Sequence, residues 1–363
     1  MGSLLDSFKI IRPKIARSLL NDGNLNRIEQ VASGLPAIHR AGFEYQFLNP
    51  ERGLDFQQCV TVTSESYSHL HGVCSKNSPA GNGPGDLLSQ IARLCRAGLT
   101  PDHPIKQCIG QIWLEFDTGI NRNQPLPSVF LGLHRGQPTA TLVASAILEA
   151  QRILSGQTPD PKTLAALKRI LKIFVPRKRI THVGFMLGRP IRAIRLIASI
   201  DSRLTDLQSM LDELQVVGNE RLLNTTYLFA KALFPEIRLC MDIHEGLSIA
   251  SGLECFFNSW ENPGADAADV SVVLGKLREK GICSPEEREA IRHWASEIFP
   301  PGQQENWPES LILKSMTRPV NHFSRIETGF SHVKFGVYPQ KPLVTKIYFG
   351  YRESFMEKNK QPD

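Results

Sequence analysis

The chain has 363 residues, 41% hydrophobic and 21% charged, and 42 Lys and Arg against 36 Asp and Glu give a net charge of +6. That length can bury a sizeable core, and the mild positive excess is spread along the chain, without the basic run that marks nucleic-acid or membrane attachment. No apolar stretch approaches the ~20 residues of a membrane span. The start, MGSLLDSFKII, lacks the layout of a signal peptide, and Asp6 stands where myristoylation needs Ser or Thr. Seven cysteines (59, 74, 95, 108, 240, 255 and 283) are odd in number and never spaced as CxxC, so they read as reduced thiols of a cytoplasmic protein.

The expected organisation is a single domain over 1–363, with a helical segment over 1–40 (its helices at about 3–32) and a helix-wrapped barrel over 41–351. FEYQFL (43–48) and FQQCVTVT (56–63) form the first pair of strand-like runs about a turn. SKNSPAGNGPGD (75–86) follows as a surface loop. Its GNGPG lacks the Gly-Lys-Ser/Thr of a phosphate loop. The next pair is 112–117 with 127–133, and the third is 182–187 with 191–199. Helices are expected between them over 139–156 and 161–175, split at Gly156 and Pro159, with Thr163 in the first turn of the second. VPRKRI (175–180) is basic and reads as a solvated approach to a strand. Helices over 201–215 and 219–233 lead to the fourth pair, 238–245 with 249–257. Helices over 266–281 and 284–299 lead to the fifth, 332–338 with 343–351. Ser284, Pro285 and Glu287 make a capping box for the last of these helices.

Five hairpins with helices between them are what a closed antiparallel barrel inside a helical layer requires, so the fold class is α+β with ten strands. Successive strand residues point to opposite faces, and the runs split accordingly. Trp113, Glu115 and Asp117 share one face against Ile112, Leu114 and Phe116. Arg238, Cys240, Asp242 and His244 oppose Leu239, Met241 and Ile243. Glu254 and Phe256 oppose Cys255 and Phe257. His332, Lys334, Gly336 and Tyr338 oppose Val333, Phe335 and Val337, while Lys346 and Tyr348 oppose Ile347 and Phe349. The third hairpin offers either Arg192 or Arg195 inward, and Arg195 leaves smaller neighbours. An antiparallel sheet with one wet face gives the same alternation, but the polar face here is rich in Trp, Tyr, Glu, Asp, His and Gly, which suits a lined cavity.

A barrel wider than the ~8-stranded size that side chains fill leaves room for a ligand. Arg195, Arg238, Lys334 and Lys346, with Tyr338 and Tyr348, would bind a pyrophosphate through charge-assisted hydrogen bonds. Trp113, Phe256 and the tyrosines would shield a carbocation. Glu115 is then the candidate general base, or the anchor of a donor group on the nucleophile. Glu115→Gln and Lys346→Ala are each expected to abolish activity and leave folding intact.

This layout resembles the barrel-type (ABBA) aromatic prenyltransferases, at the level of architecture and without a contiguous diagnostic motif. The resemblance implies ten antiparallel strands around a cavity, an allylic diphosphate held by inward Arg, Lys and Tyr, and an acid on an early strand that orients or deprotonates the acceptor. Lys334, Lys346 in TKIYFGY and Glu115 in WLEFD resemble those roles. The partners implied are a prenyl diphosphate and an aromatic or peptide side-chain acceptor, with no nucleic acid and no membrane.

The inward acids Asp117, Asp242 and Glu254 exceed what anion binding needs; they would hold Mg²⁺ with the diphosphate or meet a cationic acceptor. Asp242 and His244 beside Glu245 supply only two same-face ligands and read as a hydrogen-bonded pair rather than a metal site. Cys255 has no His partner and reads as a small buried residue. A non-catalytic barrel binding a peptide or small molecule, and a tunnel enzyme processing polyphosphate with metal, are the alternatives.

Overall fold

The computed structural model describes residues 4–35, 40–77, 87–119, 127–134, 139–177, 180–187, 193–200, 207–257, 263–300, 307–317, 322–338 and 340–357. Its strands are β1 (Arg40–Gln46), β2 (Leu54–Thr61), β3 (Ile109–Phe116), β4 (Ser128–Leu133), β5 (Ile180–Phe185), β6 (Ile194–Ile200), β7 (Glu236–His244), β8 (Leu247–Phe256), β9 (Ser296–Ile298), β10 (His322–Gly336) and β11 (Val344–Glu357). Helices α1 (Leu4–Ile11) and α2 (Asn24–Ser33) precede β1, and α3 (Ser64–Asn77), α4 (Leu87–Leu99) and α5 (Pro104–Cys108) join β2 to β3. Next come α6 (Ala140–Ser155), α7 (Pro161–Phe174), α8 (Leu207–Leu214) and α9 (Glu220–Lys231). Helices α10 (Pro263–Glu279), α11 (Pro285–Arg292) and α12 (Glu309–Met316) lie between β8 and β10.

The strands run in the order β11-β1-β2-β3-β4-β5-β6-β7-β8-β10, and β10 pairs back onto β11, which closes a ten-stranded antiparallel barrel. Strand β9 is extra, held against Ile326–Thr328 of β10. The five hairpins are those the alternation predicts. The outward faces of the strands, with Phe43, Phe56, Leu114, Leu253 and Phe335, are buried in one core shared with the helices. On α1, Phe8 packs 6.2 Å from Phe43 and 6.3 Å from Phe56.

Local chemistry sets the helix limits. Thr139 accepts from the Leu142 N–H to start α6, and Gly156 ends it at φ 70°. Asp160 accepts from the Lys162 and Thr163 N–H groups and Pro161 takes the first position of α7. The capping box of Ser284 and Glu287 is formed at α11.

The N-terminal helical segment holds two helices: α1 stops ahead of Pro13, and α2 starts after Gly23 at φ 72°. Two expectations are corrected. Helix α3 continues through Asn77, so 75–77 of the loop expected over 75–86 are helical, and 78–86 lie outside the described residues. The helix expected over 284–299 ends at Arg292, and 296–298 becomes β9. Trp294 explains this. Its Nε1 donates to the Gly350 carbonyl at 2.9 Å and its ring lies 4.9 Å from Phe349. Burying it pins the chain to the barrel wall, and Ser296 N–H then donates to Thr328 Oγ1.

The fifth hairpin is far longer than the pattern predicts, at 15 and 14 residues. Ser331 is an extra residue in β10, between the pairs Phe330–Phe349 and His332–Tyr348. The bulge shifts the phase of the alternation, which hides the first half of β10 from a period-2 reading.

Gly42 and Gly350 oppose each other on β1 and β11. A Cβ on Gly350 would press on the Ala41 carbonyl oxygen and lie 2.8 Å from the Gly42 Cα. Gly350→Ala is therefore expected to cost ~1–3 kcal/mol, measured as a lower midpoint in chemical denaturation.

Candidate functional site

The register decides which side chains meet inside the barrel. Glu115 pairs with Gln57 and Ser128, and Trp113 with Phe130. Arg195 pairs with Asp242. Glu254 pairs with both Arg238 and Lys334, and Lys334 with Lys346. Tyr348 pairs with His332 and Glu44.

The interior has two halves. Toward the hairpin turns it is filled: Phe130, Met186, Ala193, Ile197 and Cys240 form a cluster with Trp113 packed on it. Around this plug the charges pair. Arg195 grips Asp242 with two bonds of 2.6 and 2.8 Å, and Lys334 donates to Glu254 at 3.0 Å. Glu44 accepts from both Lys346 and Tyr348. Arg52 lies 2.6 Å from Asp55 and 3.6 Å from Asp117.

Toward the helix-joined strand ends the interior is a cavity of about 1090 Å³. Gly110, Thr181 and Ser331, the extra residues at three register shifts, all line it. Bulges here splay the strand ends and widen the mouth.

One wall is a continuous stack across four neighbouring strands. The Arg238 guanidinium lies 3.7 Å over the Phe256 ring. Phe256 stacks on His332 at 4.7 Å and 28°, and His332 on Tyr348 at 4.0 Å and 14°. Opposite, Trp113 lines the cavity, and its buried Nε1 has no hydrogen-bond acceptor among the described residues. A buried orphan donor costs ~1–3 kcal/mol unless a ligand satisfies it.

Comparison with solved structures places this architecture. The 5-dimethylallyltryptophan synthase from Streptomyces coelicolor aligns with a TM-score of 0.53 at 12% identity, over 96% of this chain and 97% of that one. The chain has the fold of the ABBA-type aromatic prenyltransferases. AnaPT from Neosartorya fischeri aligns with a TM-score of 0.46 at 10% identity, over 86% of this chain and 77% of that one. PriB, solved with product diphosphate, gives 0.49 at 14% identity over 95% and 96%. No protein-family model matches the sequence, and no curated protein matches it.

In this ABBA-type barrel, Trp113, Glu115, Arg238, Glu254, Lys334 and Tyr348 line the cavity. Five other expected contacts do not reach it. Arg195 and Asp242 hold each other, and Lys346 is turned onto Glu44. Tyr338 follows the end of β10. The His244 side chain is 42% exposed at the β7–β8 turn, 3.6 Å from Glu245. Arg192 and the 178–179 portion of VPRKRI lie outside the described residues. Asp117, Asp242 and Glu254, expected to hold Mg²⁺, face Arg52, Arg195 and Lys334 instead. Among the described residues no group of three or more His, Cys, Asp or Glu is placed to hold a metal ion. Nor is any described helix long and apolar enough to cross a membrane.

The surroundings set the protonation states. Burial raises the Glu254 carboxyl, but Lys334 overrides it and holds it below the usual carboxylate range. Burial pushes the Cys240 thiol up to about 12 and Cys255 well above its ordinary value, so neither is a thiolate. The six cysteines whose side chains are described are all buried and free. Burial lowers His182 to about 4 and His332 to about 3, so both imidazoles in the cavity wall are neutral.

A pH effect follows. The unfolded chain takes up protons at these histidines near pH 6.5 while the folded chain does not, so stability falls as the pH drops below that value. Asp55 opposes this: burial raises it to about 6, and its contribution is lost as the pH rises from about 4 to 6. Two histidines against one aspartate leave an expected net loss of about 1–3 kcal/mol between pH 7 and pH 5. Urea unfolding at the two values checks it, and equal midpoints would contradict it.

The sequence reading missed Arg40, Glu44, His182 and Arg352. Glu44 was visible, since it alternates with Phe43 and Tyr45 in FEYQFL. Arg40 and Arg352 lie just outside the predicted strand limits.

Proposed function

We propose that this chain transfers an allylic group from a prenyl diphosphate to an aromatic ring, free or on a peptide side chain, inside the barrel. The observation that carries the reading is the cavity inside the closed barrel, lined by Glu115 and Trp113 together with the stacked side chains of Phe256, His332 and Tyr348. The Streptomyces coelicolor neighbour, named for prenylating tryptophan, supports it at the level of fold.

The chemistry balances with the groups present. The allylic C–O bond breaks with its electron pair going to the diphosphate. A π pair of the acceptor forms the new C–C bond, and the proton of the resulting arenium ion passes to the Glu115 carboxylate. Below the mouth, Glu44, Asp55, Asp117, Glu115, Asp242 and Glu254 outnumber Arg52, Arg195, Arg238, Lys334 and Lys346 among the described residues by six to five. This surplus of negative charge favours the cationic intermediates, and the apolar walls keep water from quenching them.

Incubation with dimethylallyl or geranyl diphosphate and a panel of indoles, phenols and aromatic peptides tests the reading by mass gain of the acceptor. Absence of both turnover and donor binding would sink it. The matching of Lys334, Lys346 and Arg195 by carboxylates favours a second reading, a barrel that binds a cationic ligand without chemistry. Thermal stabilisation by basic peptides and none by diphosphates would replace the first reading with the second.

A further inference from the structure

We propose that the mouth of the barrel is an anion site centred on Arg40, which takes the anionic head of an otherwise apolar or aromatic ligand whose body lies deeper in the cavity. Arg40 and Arg352 stand opposite each other in register on β1 and β11, and both line the cavity. Like charges directly opposite on neighbouring strands are unfavourable without something between them. Arg352 has an acid, Glu327. Arg40 has no hydrogen-bond or ion-pair partner among the described residues. Arg238, on the same cavity, donates its Nε to Glu236 at 2.7 Å and rests its guanidinium face on Phe256.

The deeper interior excludes the alternative placement. Its cations are each matched and its carboxylates are in surplus, so an anionic head would displace existing ion pairs and meet net repulsion there. At the mouth a guanidinium is unmatched, and guanidinium forks suit phosphate or carboxylate oxygens. Gly42 and Gly350, beside Arg40 and Arg352 on the cavity wall, put no side chain between those arginines and the aromatic chamber. A ligand so held points its apolar body at Tyr348 and Trp113.

The inference rests on the prenyl-transfer reading only for the identity of the anion, which is either the diphosphate of the donor or a carboxylate on the acceptor. Calorimetric titration with inorganic pyrophosphate and with indole-3-propionate separates the two sources, using the parent chain, Arg40→Gln and Arg40→Lys. Circular dichroism and the denaturation midpoint confirm that the variants fold. The expected result is that Arg40→Gln weakens one of the probes about tenfold, that Arg40→Lys recovers part of it, and that added salt weakens the parent's binding. Loss confined to pyrophosphate assigns the site to the donor, and loss confined to the indole acid assigns it to the acceptor. If neither probe binds the parent, or both bind Arg40→Gln as tightly, the inference falls. Arg40-dependent binding without any prenyl transfer sinks the activity reading alone, whereas prenyl transfer with both probes indifferent to Arg40→Gln sinks this inference alone.

Discussion

Lys334→Met is expected to lower the stability of the folded chain by ~3–5 kcal/mol, seen as a lower denaturant midpoint at unchanged m-value. Lys334 and Glu254 lie 3.0 Å apart with side chains 7% and 8% exposed. The Cys240 thiol also donates to Glu254, at 3.3 Å, but it is a weak donor. Methionine keeps the length of the lysine stem and removes its charge, so Glu254 must stay ionised without its counter-charge or take up a proton. Combining Lys334→Met with Glu254→Gln is expected to restore most of the loss, because no buried charge is then left alone. A single variant that unfolds at the parent's midpoint would show that this pair does not hold the interior. Lys346→Ala follows the same logic. The sequence suggests it as a probe of activity that spares folding, yet it removes a partner of buried Glu44, so its first effect is on stability.

Glu115→Gln is expected to behave in the opposite way. If Glu115 takes the arenium proton, turnover falls by ~10²–10⁴-fold. The amide keeps the shape of the side chain and one hydrogen-bond acceptor, so the midpoint should stay close to the parent's. Measuring both on one preparation separates a chemical role from a structural one. Unchanged turnover in Glu115→Gln would move the proton to another base and remove Glu115 from the mechanism.

The barrel itself was legible because its evidence is local. A run such as IWLEFD shows its two faces within six residues, and five such pairs with helices between them leave few architectures. The partners of the inward charges were not legible. Lys334 and Glu254 are 80 positions apart, and they meet because β8 pairs with β10 while β9 is set aside. Read one strand at a time, Lys334, Lys346 and Arg195 form an anion site. Read in register, each is matched by an acid from another strand. Ser331 hid the start of β10 for a related reason: one inserted residue reverses the faces, and a two-residue period has no way to carry across it.

Closure of the barrel by β11 against both β1 and β10 also governs when the protein can acquire its interior. The first strand finds its second neighbour only once residues 344–357 have left the ribosome. Until then β1 and β10 each offer an open edge to other chains. Contacts of such long sequence separation form slowly, so a nascent chain spends its synthesis as an unclosed sheet, and the period before the final strand docks is when a chaperone has most to protect.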